Sequence, residues 1–246
     1  MSGHAKTADL NGHRPYGAMR ELTPQERQQW QRATLQTPPR RYGWDARLQF
    51  WLEDLIFGRP RTLSKFKARE LIARMPYLSW EQAAFLAAGT IRDRTVRARR
   101  LYDSLAETRA EQDNEDWHIL ILEELIAARG TRENQIRYRL IPQLAAFVQY
   151  QQFWLLEVLN PAWSCRLNAD IEDHAEHEYA ALVAEHPEWE SEPFQSAIAS
   201  GYADCESLAD LFRQIGADEG VHKEMSLERM SRARPRWPSG AKARAR

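Results

Sequence analysis

The chain has 246 residues, of which 43% are hydrophobic and 28% are charged, and its formal net charge at pH 7 is −1. This size and composition are typical of one large globular domain, and the balanced charge argues against a general nucleic-acid-binding protein. The two cysteines, Cys165 and Cys205, are too few for a disulfide framework or a thiolate metal cluster, and they fit a reducing compartment.

The two ends of the chain differ in composition from the middle. Residues 1–40 are polar, are predicted to be loosely ordered, and lack the apolar segment of a signal peptide. Residues 232–246 combine arginine and lysine with proline and glycine, which predicts a basic disordered tail that aids solubility rather than binding nucleic acid. No window holds about 18 clean apolar residues, so we expect no transmembrane span. Residues 41–231 are predicted to form one domain.

The predicted elements of this domain are all helices. The first carries an apolar stripe on residues 44–55 and ends at the Gly-Arg-Pro turn of residues 58–60. The next covers residues 63–89 with a kink at Pro76, and a long helix follows at 91–129, closed by Gly130. Further helices are predicted at 137–159, 162–185, near 194–200 and at 207–230. Because alternating apolar runs and hairpin dipeptides do not stand out, the predicted fold class is all-α.

Four of these helices carry side chains suited to hold two metal ions. Two helices contain the pattern Glu-x-x-His, whose i, i+3 spacing projects both side chains from one face. Two other helices contribute a single glutamate each. A four-helix bundle that binds two metal ions uses this combination. The six candidate ligands, in chain order, are Glu70, Glu115, His118, Glu172, Glu219 and His222.

The candidate ligands also lie on the apolar faces of their helices. A buried carboxylate costs several kcal/mol unless its charge is compensated, and two divalent cations would cancel the charge of four carboxylates. Oxygen and imidazole ligands without thiolate suit iron or manganese. A single Glu-x-x-His is more often an exposed pair or a capped helix end, so the interpretation depends on the complete set.

A competing group of possible ligands lies in the helix predicted at 162–185. His174 and His177 are also separated by three residues, and they lie beside Asp173 and Glu176. This run is so polar that we expect a solvated helix face there rather than a second metal site.

At the candidate ligands the sequence resembles the alternative oxidase family, the membrane-bound di-iron quinol oxidases of respiratory and plastid chains. The likeness covers about residues 59–230. NEDWH matches the family's Asn-Glu-Arg-Met-His motif, and GADEGVH matches Arg-Ala-Asp-Glu-Ala-x-His. The segment GRPRTLSKFKARELIARMPY, around Glu70, looks like the family's first ligand helix. IEDHAEHEY, around Glu172, is similar to the family's Leu-Glu-Glu-Glu-Ala segment.

The resemblance implies a ferritin-like four-helix di-iron bundle with additional amphipathic membrane-surface helices. It also implies two iron ions per chain, a homodimer, and oxidation of ubiquinol or a related quinol with reduction of O2 to water. Tyr179 falls where the family keeps a tyrosine near the irons, which makes it the candidate catalytic residue. Asn114 and Asp218 each precede a candidate ligand glutamate, and they are expected to orient the histidines.

Four positions depart from the family pattern. Arg69 stands where leucine is usual, Cys165 stands where histidine is usual, and His174 replaces a glutamate of the acidic triplet. Lys65 stands where the family's quinol pocket has an arginine. The resemblance places Lys65 and His174 in the quinol pocket, so these departures concern the reductant more than the metal ions.

A quinol substrate lives in lipid, so the protein must reach a membrane. The segment 44–56 combines tryptophan and leucine with nearby arginines, and the segment 140–159 is broadly apolar. Both patterns suit helices lying in a membrane surface and equally suit core helices of a soluble bundle. The resemblance favours monotopic binding to one leaflet, on the cytoplasmic side of a bacterial-type inner membrane.

Two other functions fit the same candidate ligands. A ferritin-like di-iron hydroxylase acting on a quinone precursor would use all six of them. A non-enzymatic iron-binding bundle would also use them, but it would not need Tyr179 or two interfacial helices. The flanking segments ARMPY and ADEGVH favour the oxidase.

Overall fold

The computed structural model describes residues 19–89 and 95–233. This part of the chain holds eight α-helices: α1 Pro24–Gln36, α2 Trp44–Phe57, α3 Leu63–Ala73, α4 Met75–Ala88, α5 Thr95–Ala128, α6 Ile141–Leu159, α7 Pro161–Glu185 and α8 Leu208–Arg232. A π-helical turn, Ile136–Leu140, leads into α6, and two 3-10 turns, Pro187–Glu190 and Ala199–Gly201, lie between α7 and α8. The described residues form no strand, which confirms the all-α fold class.

The helices α3, α5, α7 and α8 form the central bundle. The longest contact is between α7 and α8, while α3 packs along α5, and α5 also touches α8. Two more helices flank this bundle, because α4 packs against α5 and α6, and α6 packs against α3 and α7. The four central helices are those that carry the six candidate ligands.

The helix predicted at 63–89 is interrupted at a single residue, Arg74, close to the predicted kink at Pro76. Helix α3 ends at Ala73 and α4 begins at Met75, with Pro76 in the first turn of α4. Proline lacks a backbone N–H and favours the first turn of a helix. Arg74 keeps helical dihedral angles, and the backbone N–H groups of Arg74 and Leu78 still donate at 3.4 Å to the backbone oxygens of Glu70 and Arg74. The break separates Glu70 from the residues of α4.

The segment predicted to be loosely ordered, residues 1–40, contains a helix, so that prediction is wrong for α1. Thr23 and Glu26 form a capping box at its start, in which each side chain accepts a hydrogen bond from the other's backbone N–H, and Pro24 occupies the first position. The helix packs on α7 and α8. Residues 1–18 of this segment lie outside the described residues.

Polar side chains hold α1 against the bundle, which explains why its sequence looked unstructured. Arg27 is 1% exposed, and its guanidinium donates to the backbone oxygen of Asp204 and to Oε1 of Gln214. The ring of Trp30 lies over Gly216, where an added Cβ would come within 2.3 Å of the indole. Because the contacts of α1 with the bundle are polar or depend on a glycine, the sequence of α1 has no apolar stripe that would predict a helix.

Arg232, the first residue of the predicted basic tail at 232–246, is the last residue of α8. Helix α8 continues to Arg232, which forms an ion pair with Glu228 one turn earlier. Residues 234–246 lie outside the described residues, as does the predicted start of the long helix at residue 91. That helix is described from Thr95, and Gly130 follows its end with a φ of 60°.

Apolar side chains divide between a buried core and two exposed helix faces. The core follows α5, α7 and α8, with a second cluster where α2, α4, α6 and α7 meet. In contrast, α2 and α6 turn large apolar side chains outward: Trp44, Leu48, Trp51, Leu52, Leu55, Leu144, Phe147, Val148, Leu155 and Leu159. None of the described helices combines the length and the apolarity needed to traverse a bilayer.

Candidate metal centre

Six buried side chains from four helices meet inside the bundle. Helices α3 and α7 each supply a glutamate, while α5 and α8 each supply a glutamate and a histidine one turn apart. Each of the six is at most 1% exposed. The structure therefore brings together all the candidate ligands of the spacing pattern: Glu70, Glu115, His118, Glu172, Glu219 and His222.

The six side chains form two overlapping groups of four. Within each group the donor atoms lie within 4.8 Å of one another. Glu115 and Glu219 belong to both groups. The glutamate of α3 and the histidine of α5 complete one group, and the glutamate of α7 and the histidine of α8 complete the other. This arrangement offers four ligands to each of two cations, with two carboxylates placed to be shared.

The polar atoms of this centre face one another, with Nδ1 of His222 3.1 Å from Oε1 of Glu115, and most of them have no hydrogen-bond partner outside the centre among the described residues. They include both oxygens of Glu115 and Glu219, one oxygen of Glu172 and both ring nitrogens of His222. Folded proteins leave few buried polar groups unpaired, because each costs about 1–3 kcal/mol and a charged group costs more. Two divalent cations would pair these atoms, so the residues fit a dimetal group of iron or manganese.

The electrostatics of the centre without metal also favour cations. Burial, with the nearby charge of Glu219, raises the pKa of Glu115 and of Glu172 well above the usual range. Burial alone would lower the pKa of the two histidines, but the surrounding carboxylates raise the pKa of His118 and of His222 above the usual value. Burial is likewise overcome at Glu219, whose pKa the two histidines lower. Protons therefore compensate the carboxylates when metal is absent.

His118 is oriented by carboxylates on both sides of its ring. Its Nδ1 atom lies 3.1 Å from Oε1 of Glu219 and 3.3 Å from Oε2 of Glu70, at the centre. Its Nε2 atom lies on the outer side, 3.2 Å from the hydroxyl oxygen of Tyr202 and 3.5 Å from Oδ2 of Asp218. A histidine that gives its outer N–H to a carboxylate presents the inner nitrogen lone pair to a metal.

Asp218 is itself held by a hydrogen-bond network. Its Oδ2 accepts from the Tyr202 hydroxyl at 2.6 Å and from Nδ2 of Asn114 at 3.1 Å, while its Oδ1 accepts from Gln214 at 2.9 Å. Asn114 therefore reaches His118 through Asp218, and it makes no hydrogen bond to either histidine within the described structure. Asp218, rather than Asn114, is therefore placed to orient His118.

Two tyrosines hold the two glutamates that are not shared. The Tyr179 hydroxyl donates to Oε1 of Glu70 at 2.5 Å, and the Tyr77 hydroxyl donates to Oε1 of Glu172 at 2.6 Å. Asn168 adds a second donor to the same oxygen of Glu172 at 3.0 Å. Each glutamate thus has one oxygen occupied by a neutral donor and the other free for the centre.

Three residues that contact the candidate ligands were not predicted from the sequence: Tyr77, Asn168 and Tyr202. Asn168 precedes Glu172 by one helical turn and shares its face, a spacing that would have flagged it. Tyr77 follows Glu70 by seven residues, but the helix break between them hides that relation. Tyr202 lies in the irregular segment before α8, where no periodicity predicts the direction of a side chain.

The residues expected in the quinol pocket separate in the structure. The buried ammonium of Lys65 lies 2.7 Å from Oδ1 of Asp54, whose side chain is exposed. The ring of His174 stacks on Phe50 with centroids 3.9 Å apart, and burial lowers the pKa of His174 to about 4. Cys165 is buried in the apolar cluster between α2, α4, α6 and α7.

A cavity of about 530 Å³ lies between α2 and α6, and we call it the α2–α6 groove. Its walls are mainly apolar, including Leu48 of α2 and Leu144 of α6, and it extends to α3 and α7. His174 and Arg69 line it, whereas Lys65 does not.

The competing group on α7 is buried and ion-paired, so the expectation of a solvated face is wrong. Asp173 is 3% exposed and Glu176 is 7% exposed, because α1 and the segment after it cover them. Oε1 of Glu176 accepts hydrogen bonds from Trp30 and Thr34, and Oε2 lies 2.6 Å from Nζ of Lys223. The carboxylate oxygens of this group find hydrogen-bond and ion-pair partners within the protein.

Two comparisons with known proteins bear on this site. The family model described as Alternative oxidase matches residues 45–229, which is most of the chain and includes all six candidate ligands. No curated protein matches the chain.

Proposed function

Because the chain belongs to the alternative oxidase family, we propose that it is a quinol oxidase, which oxidises ubiquinol or a related quinol and reduces O2 to water. The observation that carries this proposal is the set of buried carboxylate and imidazole atoms that face one another and have no hydrogen-bond partner outside the centre. These six side chains would hold two iron ions. Bound iron would supply the redox chemistry that couples the quinol to O2.

The protein's own residues prepare this chemistry. Glu115 and Glu219 belong to both groups of ligand atoms, so their charge would offset that of bound cations. Tyr77 and Tyr179 fix the orientation of the other two glutamates through one oxygen each. Because the centre is fully buried, bulk water is excluded, and this strengthens each electrostatic contact within it.

Tyr179 is the proposed redox-active residue. Reduction of O2 to two waters takes four electrons and four protons, which two quinols supply as they become two quinones. A buried tyrosine can lend an electron and its hydroxyl proton during such a sequence, and it regains both from the next quinol. The hydroxyl of Tyr179 lies 2.5 Å from Oε1 of Glu70, so its proton has an acceptor beside the centre.

The exposed faces of α2 and α6 form the proposed membrane contact. Trp44 is 75% exposed and Phe147 is 65% exposed, and such side chains insert favourably into the boundary between lipid head groups and acyl chains. Bound in this way to one leaflet, the protein would open the α2–α6 groove towards the quinols of the bilayer. We propose the cytoplasmic side of a bacterial-type inner membrane.

We also propose that the protein pairs as a homodimer. Apolar side chains outside the α2–α6 face, such as Phe85 of α4 and Leu120 of α5, are exposed on the single chain. A second copy could cover them, since large exposed apolar patches mark contact surfaces. Light scattering of the detergent-solubilised protein would give the mass of a dimer.

The test of the function is O2 consumption by the purified, iron-loaded protein with a short-chain quinol. We expect quinol-dependent O2 uptake that persists in cyanide, with one O2 consumed for two quinols and the corresponding quinone as product. A hydroxylated product would support the hydroxylase instead. Full iron loading without O2 uptake would support an iron-binding bundle.

A further inference from the structure

The α2–α6 groove has a buried cation in its wall. Arg69 of α3 is the only lysine or arginine among the described residues that line the groove, and it is 6% exposed. It immediately precedes Glu70 and occupies a position where the resembling family has leucine. A full charge therefore stands in a wall that is otherwise mainly apolar.

The guanidinium of Arg69 has spare hydrogen-bonding capacity. Its Nη2 atom lies 2.6 Å from Oε1 of Glu53 and 3.7 Å from Oε2 of Glu178. Its Nε and Nη1 atoms are buried without a partner among the described residues. Burial opposes the charge, but Glu53 and Glu178 keep the pKa of Arg69 above its usual value. Arg69 is thus a charged, fixed donor that lacks an acceptor.

Lys65 is not in a position to supply that contact. Its ammonium is bound to Asp54 at 2.7 Å and lies 3.7 Å from Glu53, and it does not line the groove. Both carboxylates belong to α2, so Lys65 ties α3 to α2 instead of facing a ligand.

Arg69 also lies at the start of a short path to the metal centre. Its guanidinium carbon is 5.0 Å from the centroid of the Phe66 ring, and that ring packs against Tyr179 with centroids 4.5 Å apart. The Tyr179 hydroxyl in turn donates to Glu70. A ligand held by Arg69 is therefore separated from the centre by aromatic side chains and not by solvent.

We propose that Arg69 binds the head group of the quinol, with one of its unpartnered N–H groups, on Nε or Nη1, donating to a ring oxygen while the apolar substituent lies along the α2–α6 groove. This inference rests on the proposed quinol oxidation and adds the residue that positions the substrate. A charged donor favours the oxygen more strongly as it loses its proton. Quinone and quinol both carry ring oxygens, so binding is measurable without turnover.

The test is a titration of the iron-loaded protein with an alkyl-substituted benzoquinone, followed by quenching of tryptophan fluorescence, since Trp44 lines the groove. We expect the Kd of Arg69→Leu to be about tenfold higher or more, because a hydrogen bond to a charged group is lost. Arg69→Lys keeps the charge with a single donor position, and we expect an intermediate Kd. KM for the quinol should rise in the same order, with iron content unchanged.

Two control variants separate the head-group contact from the ion pairs. Glu53→Gln combined with Arg69→Leu removes the carboxylate that Arg69→Leu alone would strand, and it should bind the quinone as weakly as the single variant. Lys65→Gln should bind like the wild type, because Lys65 does not reach the groove.

Several outcomes would overturn the proposal. Wild-type affinity in Arg69→Leu, or an equal loss in Lys65→Gln, would exclude Arg69 as the anchor while leaving quinol oxidation intact. Reduced binding of Arg69→Leu to anionic-lipid vesicles with unchanged quinone binding would assign the guanidinium to a lipid phosphate. A wild-type protein that neither binds quinone nor oxidises quinol would overturn the proposed function itself.

Discussion

Helix α7 contributes to two groups of carboxylates and histidines, one around Glu172 and one around Glu176, and the two groups differ in their hydrogen-bond partners. At Glu172, which faces the bundle interior, one oxygen is buried without a partner, as are both oxygens of the neighbouring Glu115 and Glu219. One and four residues further along α7, Asp173 and Glu176 are nearly as buried. Their oxygens accept from backbone, hydroxyl, indole and ammonium donors.

The difference shows what distinguishes a metal site from a paired cluster of the same residue types. Both groups have ligand atoms close enough to hold a cation. In the group around Glu176, Lys223 already supplies positive charge, and α1 supplies further donors. In the centre around Glu115, the protein supplies no lysine or arginine to the unpaired oxygens. Protons on these carboxylates and histidines compensate the charge in the metal-free protein, and two cations would replace them.

The largest expected effect is the loss of metal from one group only. Glu115→Ala removes a carboxylate that both metal positions share, so we expect bound iron to fall from two ions per chain to none. The matched control is Glu176→Gln, in the paired cluster, which should retain two ions. Iron per chain, measured by elemental analysis with circular dichroism as the check on folding, gives the answer. Wild-type iron in Glu115→Ala would mean that the ligands are misassigned.

The two tyrosines should affect the two halves of the centre separately. Tyr77→Phe removes the donor to Glu172, and Tyr179→Phe removes the donor to Glu70, without changing a ligand. Loss of a residue that orients a ligand typically weakens metal binding by about 10–100-fold. Calorimetric titration with Mn²⁺ should therefore show weaker binding of one ion and unchanged binding of the other in each variant. Equal weakening of both ions in each variant would contradict independent roles.

Metal affinity should rise with pH because metal and protons compete for the same atoms. The pKa values of Glu115, Glu172, His118 and His222 are raised in the metal-free protein, so these groups hold protons that a metal must displace. For each proton displaced, the affinity should fall about tenfold per unit decrease in pH, as linkage requires. Mn²⁺ titrations between pH 6 and 8 would measure the slope, and a flat profile would contradict the proton-compensated centre.

The smallest expected effect concerns the stability of the paired cluster. Lys223→Met leaves Oε2 of Glu176 without its ammonium partner, which should lower the free energy of unfolding by about 1–3 kcal/mol. Adding Glu176→Gln should recover part of that loss, since the stranded charge disappears. Urea denaturation of the two single variants and the double variant measures the coupling. Additive losses would show that the pair contributes nothing specific.

The sequence predicted the helices that carry the candidate ligands and the six side chains that meet, because both follow from periodicity. A glutamate and a histidine three residues apart share a helix face whatever the rest of the fold does. It could not predict α1, whose contacts run through Arg27 and Trp30 and not through an apolar stripe. It also could not predict that Asp54 would bind Lys65, since that pairing depends on how α2 packs against α3.

The hydrogen-bond partners of the candidate ligands could not be predicted from the sequence either. Tyr77 meets Glu172 across two helices that are distant in the chain, and Tyr202 comes from an irregular segment. Such contacts arise from tertiary packing, which local spacing does not encode. The same holds for the α2–α6 groove, whose walls come from four separate helices.

The most direct test of the dimetal centre is anomalous diffraction at the iron absorption edge from crystals of the iron-loaded protein. We expect two peaks per chain inside the bundle of α3, α5, α7 and α8. One should lie near Glu70 and His118 and the other near Glu172 and His222, with Glu115 and Glu219 reaching both. A single peak, or iron bound instead at Asp173, Glu176 and His177, would contradict the assignment.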